Sequence, residues 1–246
     1  MSEWIQATVL NNKRWNEHLH SLQIEAEGIK FTAGQYTRLA LDIDEVRVAR
    51  PYSFVNPPDV ETLEFYLNSV PDGPLSNRLV NMNSGDRIWV STKPAGFLTL
   101  DEVPDGQFLW MLATGTAIGP FLSILRTKQP WNRFQRVLLA YAVRNENELS
   151  YRDLLEQFSK QHSEQFTWVP FVSRESLDYG LSGRIPTALD DGSLEEYFKQ
   201  KLNRDTQVMI CGNPHMVKDS ISSLKAKGLS KNLRHTPGHI TVERYW

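Results

Sequence analysis

"QFLWMLAT" occupies Gln107 to Thr114, an unbroken apolar run between the turn-rich "DEVPDG" and the glycine-bearing "GTAIGP". A half-buried strand alternates apolar and polar residues. This run does not, so it reads as a strand covered on both faces. Helical spacing follows at once, with Ile118, Phe121, Leu122 and Leu125 on one stripe. The same unit recurs downstream. "RVLLAYAVR" leads to a helix from Ser150, with Asp153 placed for a capping box. "FTWVPFVSR" leads to a helix near "LEEYFKQKL". "TQVMICG" leads through Asn213-Pro214, an N-cap and first-turn pair, to a helix with Val217, Ile221 and Leu224 inward. Strands alternating with helices predict a parallel, Rossmann-like α/β domain over residues 107–246.

Residues 1–101 follow another rhythm. "WIQATVL", "LHSLQIEA", "QYTRLALDI", "RPYSFVN", "LEFYLNSV" and "DRIWVSTK" are short and rich in β-branched and aromatic residues. Asn11-Asn12, Gly34, Asn56-Pro57-Pro58, Pro71-Asp72-Gly73 and Gly85-Asp86 separate them. This spacing predicts a small antiparallel β-barrel, interrupted by one helix carrying Leu75, Leu79 and Met82. The expected architecture is therefore two domains, joined between about residues 101 and 107.

Composition narrows the class. The 246 residues carry 27 Lys plus Arg and 29 Asp plus Glu, a formal net charge of -2. That balance argues against a nucleic-acid binder. A single cysteine, Cys211, excludes an intramolecular disulfide and a four-cysteine iron–sulfur or zinc site. The six histidines show no ligand spacing, so no metal is expected. The start lacks the apolar run of a secretory leader, and no segment approaches the length that spans a bilayer. No membrane association is expected, and the cytoplasm is the expected location.

In an open parallel sheet, ligands bind at the carboxyl ends of the strands. Those ends hold Thr114-Gly115-Thr116, Tyr141 to Arg144, Ser173-Arg174 and Cys211-Gly212-Asn213-Pro214. Glycines at a helix start allow close approach to phosphate. Arg144 and Arg174 end successive strands, and Arg184 lies just beyond in "LSGRIP". Each alone reads as a surface charge; together they suit an anion. "ATGTAIGP" does not fit the G-x-G-x-x-G dinucleotide fingerprint.

Six stretches in order carry a resemblance: "RPYS", "PDGPLSNRL", "GTAIGPF", "VSR", "CGNP" and the terminal "ERYW". Together the chain resembles the ferredoxin/flavodoxin–NADP+ reductase family, its bacterial members in particular. The resemblance implies non-covalent FAD on the first domain and NADP(H) as substrate on the second. It implies that Arg50, Pro51, Tyr52 and Ser53 hold the flavin, with Arg50 at the pyrophosphate, Tyr52 against the ring and Ser53 near N5. It assigns Tyr66, Leu67, Asn68 and Ser69 to the ring edge, and Pro74, Leu75 and Ser76 to the pyrophosphate. Ser76 also reads as a plain helix cap. Thr116 falls where flavin and nicotinamide meet. Arg144, Ser173, Arg174 and Arg184 fall to the NADP side, with Cys211, Gly212 and Asn213 beside the nicotinamide. Ser53, Cys211 and Glu243 are the implied catalytic residues, although the bacterial tail leaves the carry-over of Glu243 open. Trp246 is implied to stack on isoalloxazine or adenine, against the plainer alternative of packing between domains. One departure stands out: Ala117 occupies a position where many relatives carry glycine, and the second glycine is displaced to Gly119.

The implied activity is electron transfer between NADPH and ferredoxin or flavodoxin, by a monomer. Two alternatives come from other classes: the flavin reductase component of an oxygenase system, and a non-enzymatic flavin-binding regulator.

Overall fold

The computed structural model describes residues 3–244. Trp246, the expected stacking residue, lies outside the described residues. The chain divides into two compact units. One runs to Thr99 and also holds Gly119–Thr127; the other holds Leu100–Ile118 and the chain from Lys128 onward.

The first unit is an antiparallel sheet of six strands. They are β1 (Trp4–Arg14), β2 (Leu19–Glu25), β3 (Tyr36–Ile43), β4 (Val46–Ser53), β5 (Thr62–Asn68) and β6 (Arg87–Ser91), in the order β4-β3-β6-β1-β2-β5. Two helices belong to it, α1 (Ser76–Leu79) and α2 (Gly119–Leu125). The predicted period of two is visible in β1, where Ala7 and Val9 are buried beside exposed Gln6 and Leu10. A bulge between Val9 and Asn11 then shifts the register against β2. Inward-facing Leu22, Ile24, Leu39 and Val90 are fully buried. Burying each such side chain stabilises the fold by about 1.5–3 kcal/mol. The sheet curls until its edge strands meet at one bridge, Phe54 with Phe65. Gly34 is required where the chain turns below this sheet. Its φ is +100°, and an added Cβ would lie 2.0 Å from the Leu98 carbonyl oxygen.

The second unit carries the parallel sheet. Its strands are β7 (Phe108–Thr114), β8 (Arg136–Val143), β9 (Phe166–Val172), the two-residue β10 (Leu181–Ser182), β11 (Thr206–Gly212) and β12 (Ile240–Arg244). The order β10-β9-β8-β7-β11-β12 places β7 between β8 and β11. Residues Leu109 to Ala113 are accordingly wholly buried, as their unbroken apolar run predicts. Trp110 meets Phe198 edge to face, with ring centroids 5.0 Å apart. Helices α3 (Gln129–Arg133), α4 (Arg152–Gln161), α5 (Ile185–Asp190), α6 (Ser193–Phe198) and α7 (Pro214–Ala226) complete the unit.

Helix entry follows the sequence in one place and departs from it in another. Asn213 caps α7, its Oδ1 accepting from the Met216 N–H at 2.9 Å, and Pro214 takes the first turn. The helix expected from Ser150 begins two residues later. Helix α4 starts at Arg152, and its cap is Tyr151 in a left-handed conformation with no side-chain cap bond. Tyr151 is 5% exposed, so tertiary burial rather than capping chemistry sets the entry.

Candidate functional site

In the first unit, the strand edges supply the site. Val55 N–H donates to the Glu64 carbonyl at 2.9 Å, next to the Phe54–Phe65 bridge. Continuing that register would set Ser53 opposite Tyr66 and Tyr52 opposite Leu67. Neither pair forms: among the described residues β4 pairs only with β3, and β5 only with β2 and at this bridge. Two outer strand edges, Arg50–Ser53 and Tyr66–Ser69, therefore part from a common point. Backbone groups on such edges accept or donate to a planar polar ligand.

The side chains there differ in environment. Ser53 is buried, Tyr52 half-buried, and Pro51 and Arg50 exposed. Burial pushes the Tyr52 phenol up to about 12, against a smaller opposing pull from the Arg50 charge. Its hydroxyl is thus a proton-bearing donor at any ordinary pH. Arg50 Nη1 donates to its neighbour's carbonyl, Ala49 O, at 2.7 Å, and among the described residues no carboxylate pairs with it. Tyr66 and Leu67 are buried, and Asn68 is exposed. Ser69 is tied to the β1–β2 turn, its N–H donating to His18 O at 2.8 Å.

Pro74, Leu75 and Ser76 form the entry of α1. Ser76 does not cap that helix. It is the first helical residue, and its Oγ accepts from Val70 N–H at 3.1 Å, across the Pro71-Asp72-Gly73 turn. Gly73 permits the closure, since a Cβ there would lie 2.5 Å from Ser76 Oγ.

A network that sequence reasoning missed secures the point where the strands part. Asn56 Oδ1 accepts from Glu64 N–H at 2.8 Å, and Ser123 Oγ donates to Asn56 O at 2.7 Å. Arg126 pairs with Glu64 at 2.8 Å and reaches Val55 O at 3.3 Å. Asn56, Glu64 and Ser123 are all buried. This is why residues 119–127 join the first unit. The available sequence cue was a glutamate, Glu64, inside the otherwise apolar "LEFYL".

In the second unit, the strand ends gather as the sheet topology requires. Strand order reverses between β7 and β11, and a crevice beyond such a switch point binds ligands. Thr114 and Asn213 meet there: Thr114 Oγ1 accepts from Asn213 N–H at 3.1 Å. A Cβ on Gly212 would fall 2.1 Å from that oxygen and 2.6 Å from Met216 Cε. Only glycine permits this closeness. Gly115 has a φ of +56°, opening the one-turn 3-10 helix Gly115–Ile118 that carries half-buried Thr116 and buried Ala117. The displaced Gly119 starts α2.

Cys211 is fully buried in β11, level with Ala113 on one side and Glu243 on the other. Burial raises its thiol well above the ordinary range, and the Glu243 charge adds to the rise. It is therefore a small apolar wall residue rather than a nucleophile. Glu243 is half-buried.

Arg144, Ser173, Arg174 and Arg184 are all exposed at adjacent strand ends. Arg174 N–H donates to Arg144 O at 2.9 Å, which fixes the two segments side by side. Gly183 N–H donates to Val172 O at 3.1 Å, bringing Arg184 to the end of β9. Among the described residues, none of these three guanidiniums pairs with a carboxylate. Nearby Arg152, by contrast, pairs with Glu146 and Glu156 and lies 4.4 Å from the Tyr179 ring centroid.

Comparison with known proteins finds two domain families along the chain. An oxidoreductase FAD-binding domain family matches residues 12–98, and an oxidoreductase NAD-binding domain family matches residues 111–221. The chain is 46% identical to the flavodoxin/ferredoxin–NADP reductase of Shigella flexneri, covering 100% of both chains. It belongs to the flavodoxin/ferredoxin–NADP reductase family. The reductase of the same name from Escherichia coli (strain K12) is 45% identical, again over 100% of both chains. A solved ferredoxin NADP+ reductase from Neisseria gonorrhoeae, with bound FAD and NADP, covers 100% of both chains with a TM-score of 0.96 at 35% identity.

Proposed function

We propose that this chain is an FAD-dependent oxidoreductase that moves electrons between NADPH and ferredoxin or flavodoxin. The observation that carries the reading is the occurrence of two built sites on one chain: the parted β4 and β5 edges of the first unit, and the three arginines of the second whose guanidiniums pair with no carboxylate among the described residues. The donor sets suit the ligands. FAD offers a planar ring with polar edges and a charged pyrophosphate, which match exposed strand backbone and the Arg50 guanidinium. NADPH differs from NADH by a 2′-phosphate, a dianion that clustered arginines meet with charge-assisted hydrogen bonds.

FAD supplies the chemistry that side chains cannot, taking an electron pair as hydride and returning it singly. The chain's own residues bind, orient and keep protons in place. Arg50 holds the pyrophosphate beside the entry of α1, where Pro74, Leu75 and Ser76 approach it. Tyr52 lies against the ring, with its hydroxyl protonated. Pro51, Ser53, Tyr66, Leu67, Asn68 and Ser69 line the ring edge, with buried Ser53 nearest the reacting nitrogen. Thr116, Cys211, Gly212 and Asn213 shape the nicotinamide end, while Arg144, Ser173, Arg174 and Arg184 hold the phosphate end. Glu243 handles the proton that leaves when one NADPH serves two one-electron carriers. Trp246 covers FAD. The enzyme works as a cytoplasmic monomer.

The test is direct. The purified protein is yellow, NADPH bleaches it without oxygen, and oxidised ferredoxin or flavodoxin restores the colour. A yellow protein indifferent to NADPH would favour a flavin-binding regulator. Bleaching that free flavin reverses and carrier protein does not would favour a flavin reductase component.

A further inference from the structure

Helix α1 is a single turn, too short to hold its own geometry. Its first residue and the two before it belong to the assigned pyrophosphate site, so something else must fix its position. Asn12 on β1 does so. Its Nδ2 lies 3.4 Å from Leu79 O, the last carbonyl of α1, 3.1 Å from Val80 O at its cap and 2.8 Å from Met82 O in the turn that follows. A helix leaves its last carbonyls without intrahelical donors, and here Leu79 O also accepts from Met82 N–H at 3.2 Å, so Asn12 ties down both the helix end and the turn behind it. Only an amide nitrogen can face three acceptors, so the side chain's orientation is settled by chemistry. Asn12 Oδ1 then faces His20 Nδ1 at 3.0 Å, and the imidazole must donate there. His20 is 8% exposed, so the relay from β2 through β1 to the helix end is sheltered.

The strand is shaped for this contact. Ala7 and Val9 point to the core, and plain alternation would turn Asn12 outward. The bulge between Val9 and Asn11 leaves Leu10 as an extra, exposed residue and sets Asn12 opposite the fully buried Leu22. Asn12 is thereby re-aimed inward, the usual consequence of a bulge.

We infer that Asn12, oriented by His20, is a positioning residue for the nucleotide part of FAD: it clamps the far end of α1 so that the entry of α1 meets the pyrophosphate. This rests on the FAD reading above. The consequence is selectivity. Losing the clamp weakens recognition of the phosphates and leaves the strand-edge contacts to the ring in place. Asn12→Ala should therefore lower the preference for FAD over riboflavin, which lacks phosphate, by roughly tenfold, the equivalent of one or two hydrogen bonds.

The experiment is equilibrium exchange of the flavin-loaded enzyme against riboflavin, with bound flavins quantified after gel filtration. The expected result is a shift of the exchange midpoint of Asn12→Ala toward riboflavin, with a smaller shift in the same direction for His20→Ala. His20→Gln, which keeps an amide donor, should restore the original midpoint. An unchanged midpoint in both alanine variants overturns the inference, even if their melting temperatures fall, because general loosening weakens both flavins alike. Should Asn12→Ala not fold, the two His20 variants decide alone by the same criterion. An unmodified protein that binds neither flavin would refute the FAD reading itself, a distinguishable failure.

Discussion

Phe54 and Phe65 form the bridge where the two edges of the first sheet touch, their ring centroids 5.3 Å apart and their planes inclined by 41°. Both side chains are fully buried, and Phe31 stacks on the far face of Phe54 at 3.8 Å. Because the strands separate immediately beyond this pair, it acts as the hinge pin of the opening. Phe65→Ala should cost about 3–5 kcal/mol of stability, as large aromatic truncations do. Urea unfolding of the two proteins measures this. A loss under 1 kcal/mol would mean that the edges are held together elsewhere.

Arg50 and Ser53 should separate by function. On the proposed placement Arg50→Ala removes the pyrophosphate's counter-charge and should lower FAD affinity by roughly ten- to a hundredfold. Ser53→Ala should keep FAD and slow transient reduction by NADPH. The flavin-to-protein absorbance ratio and anaerobic stopped flow read the two effects. Full flavin retention without Arg50 would remove that residue from the site.

Tyr52 gives a signed pH dependence. A phenol ordinarily titrates near 10, and burial holds this one at about 12 in the folded chain. Between those values the unfolded chain loses the proton and the folded chain keeps it. The contribution is fully present below pH 10 and is lost as pH rises toward 12. Tyr52→Phe should therefore lose less stability than the unmodified protein between pH 9 and pH 11. Equal losses in paired urea titrations would place the Tyr52 hydroxyl in solvent.

Arg174→Ala should raise the NADPH Michaelis constant by roughly ten- to over a hundredfold, the value of a hydrogen bond to a charged group. NADH, lacking the 2′-phosphate, should be nearly unaffected. Equal losses for both would assign Arg174 to another part of the nucleotide.

Cys211 is the chain's one thiol, which makes its chemistry simple to count. Buried and held protonated, it should resist a disulfide exchange reagent at pH 8 in the folded protein. One equivalent should react after denaturation. Prompt reaction in the native state would show that the β11 end opens.

Much of this was legible in the sequence because the deciding signals are local. The apolar run at Leu109–Ala113 and the Asn213-Pro214 cap are readable from a few consecutive residues. What escaped depends on partners distant in the chain. Ser150 looks like a helix cap until Tyr151 is buried. Leu75, Leu79 and Met82 share helical spacing and are all buried, yet the helix ends at Leu79, and Asn12, distant in the chain, takes up the Val80 and Met82 carbonyls that follow. The residues proposed for the site on strand ends stand out by motif. Their supports, Asn56, Glu64, Ser123 and Arg126, could not, because no spacing announces a pair formed across 62 positions.

That separation has a consequence for biosynthesis. Glu64 and Asn56 emerge from the ribosome before the helix that satisfies them, and at ordinary elongation rates Arg126 follows Glu64 by roughly 3–12 s. During that interval the nascent barrel carries a carboxylate without its counter-ion at the seam where its edges should close. A gene fragment cut at Thr99 would freeze the chain in that state. An autonomous version of the first unit would have to encode residues 119–127 as well, grafted onto its carboxyl end.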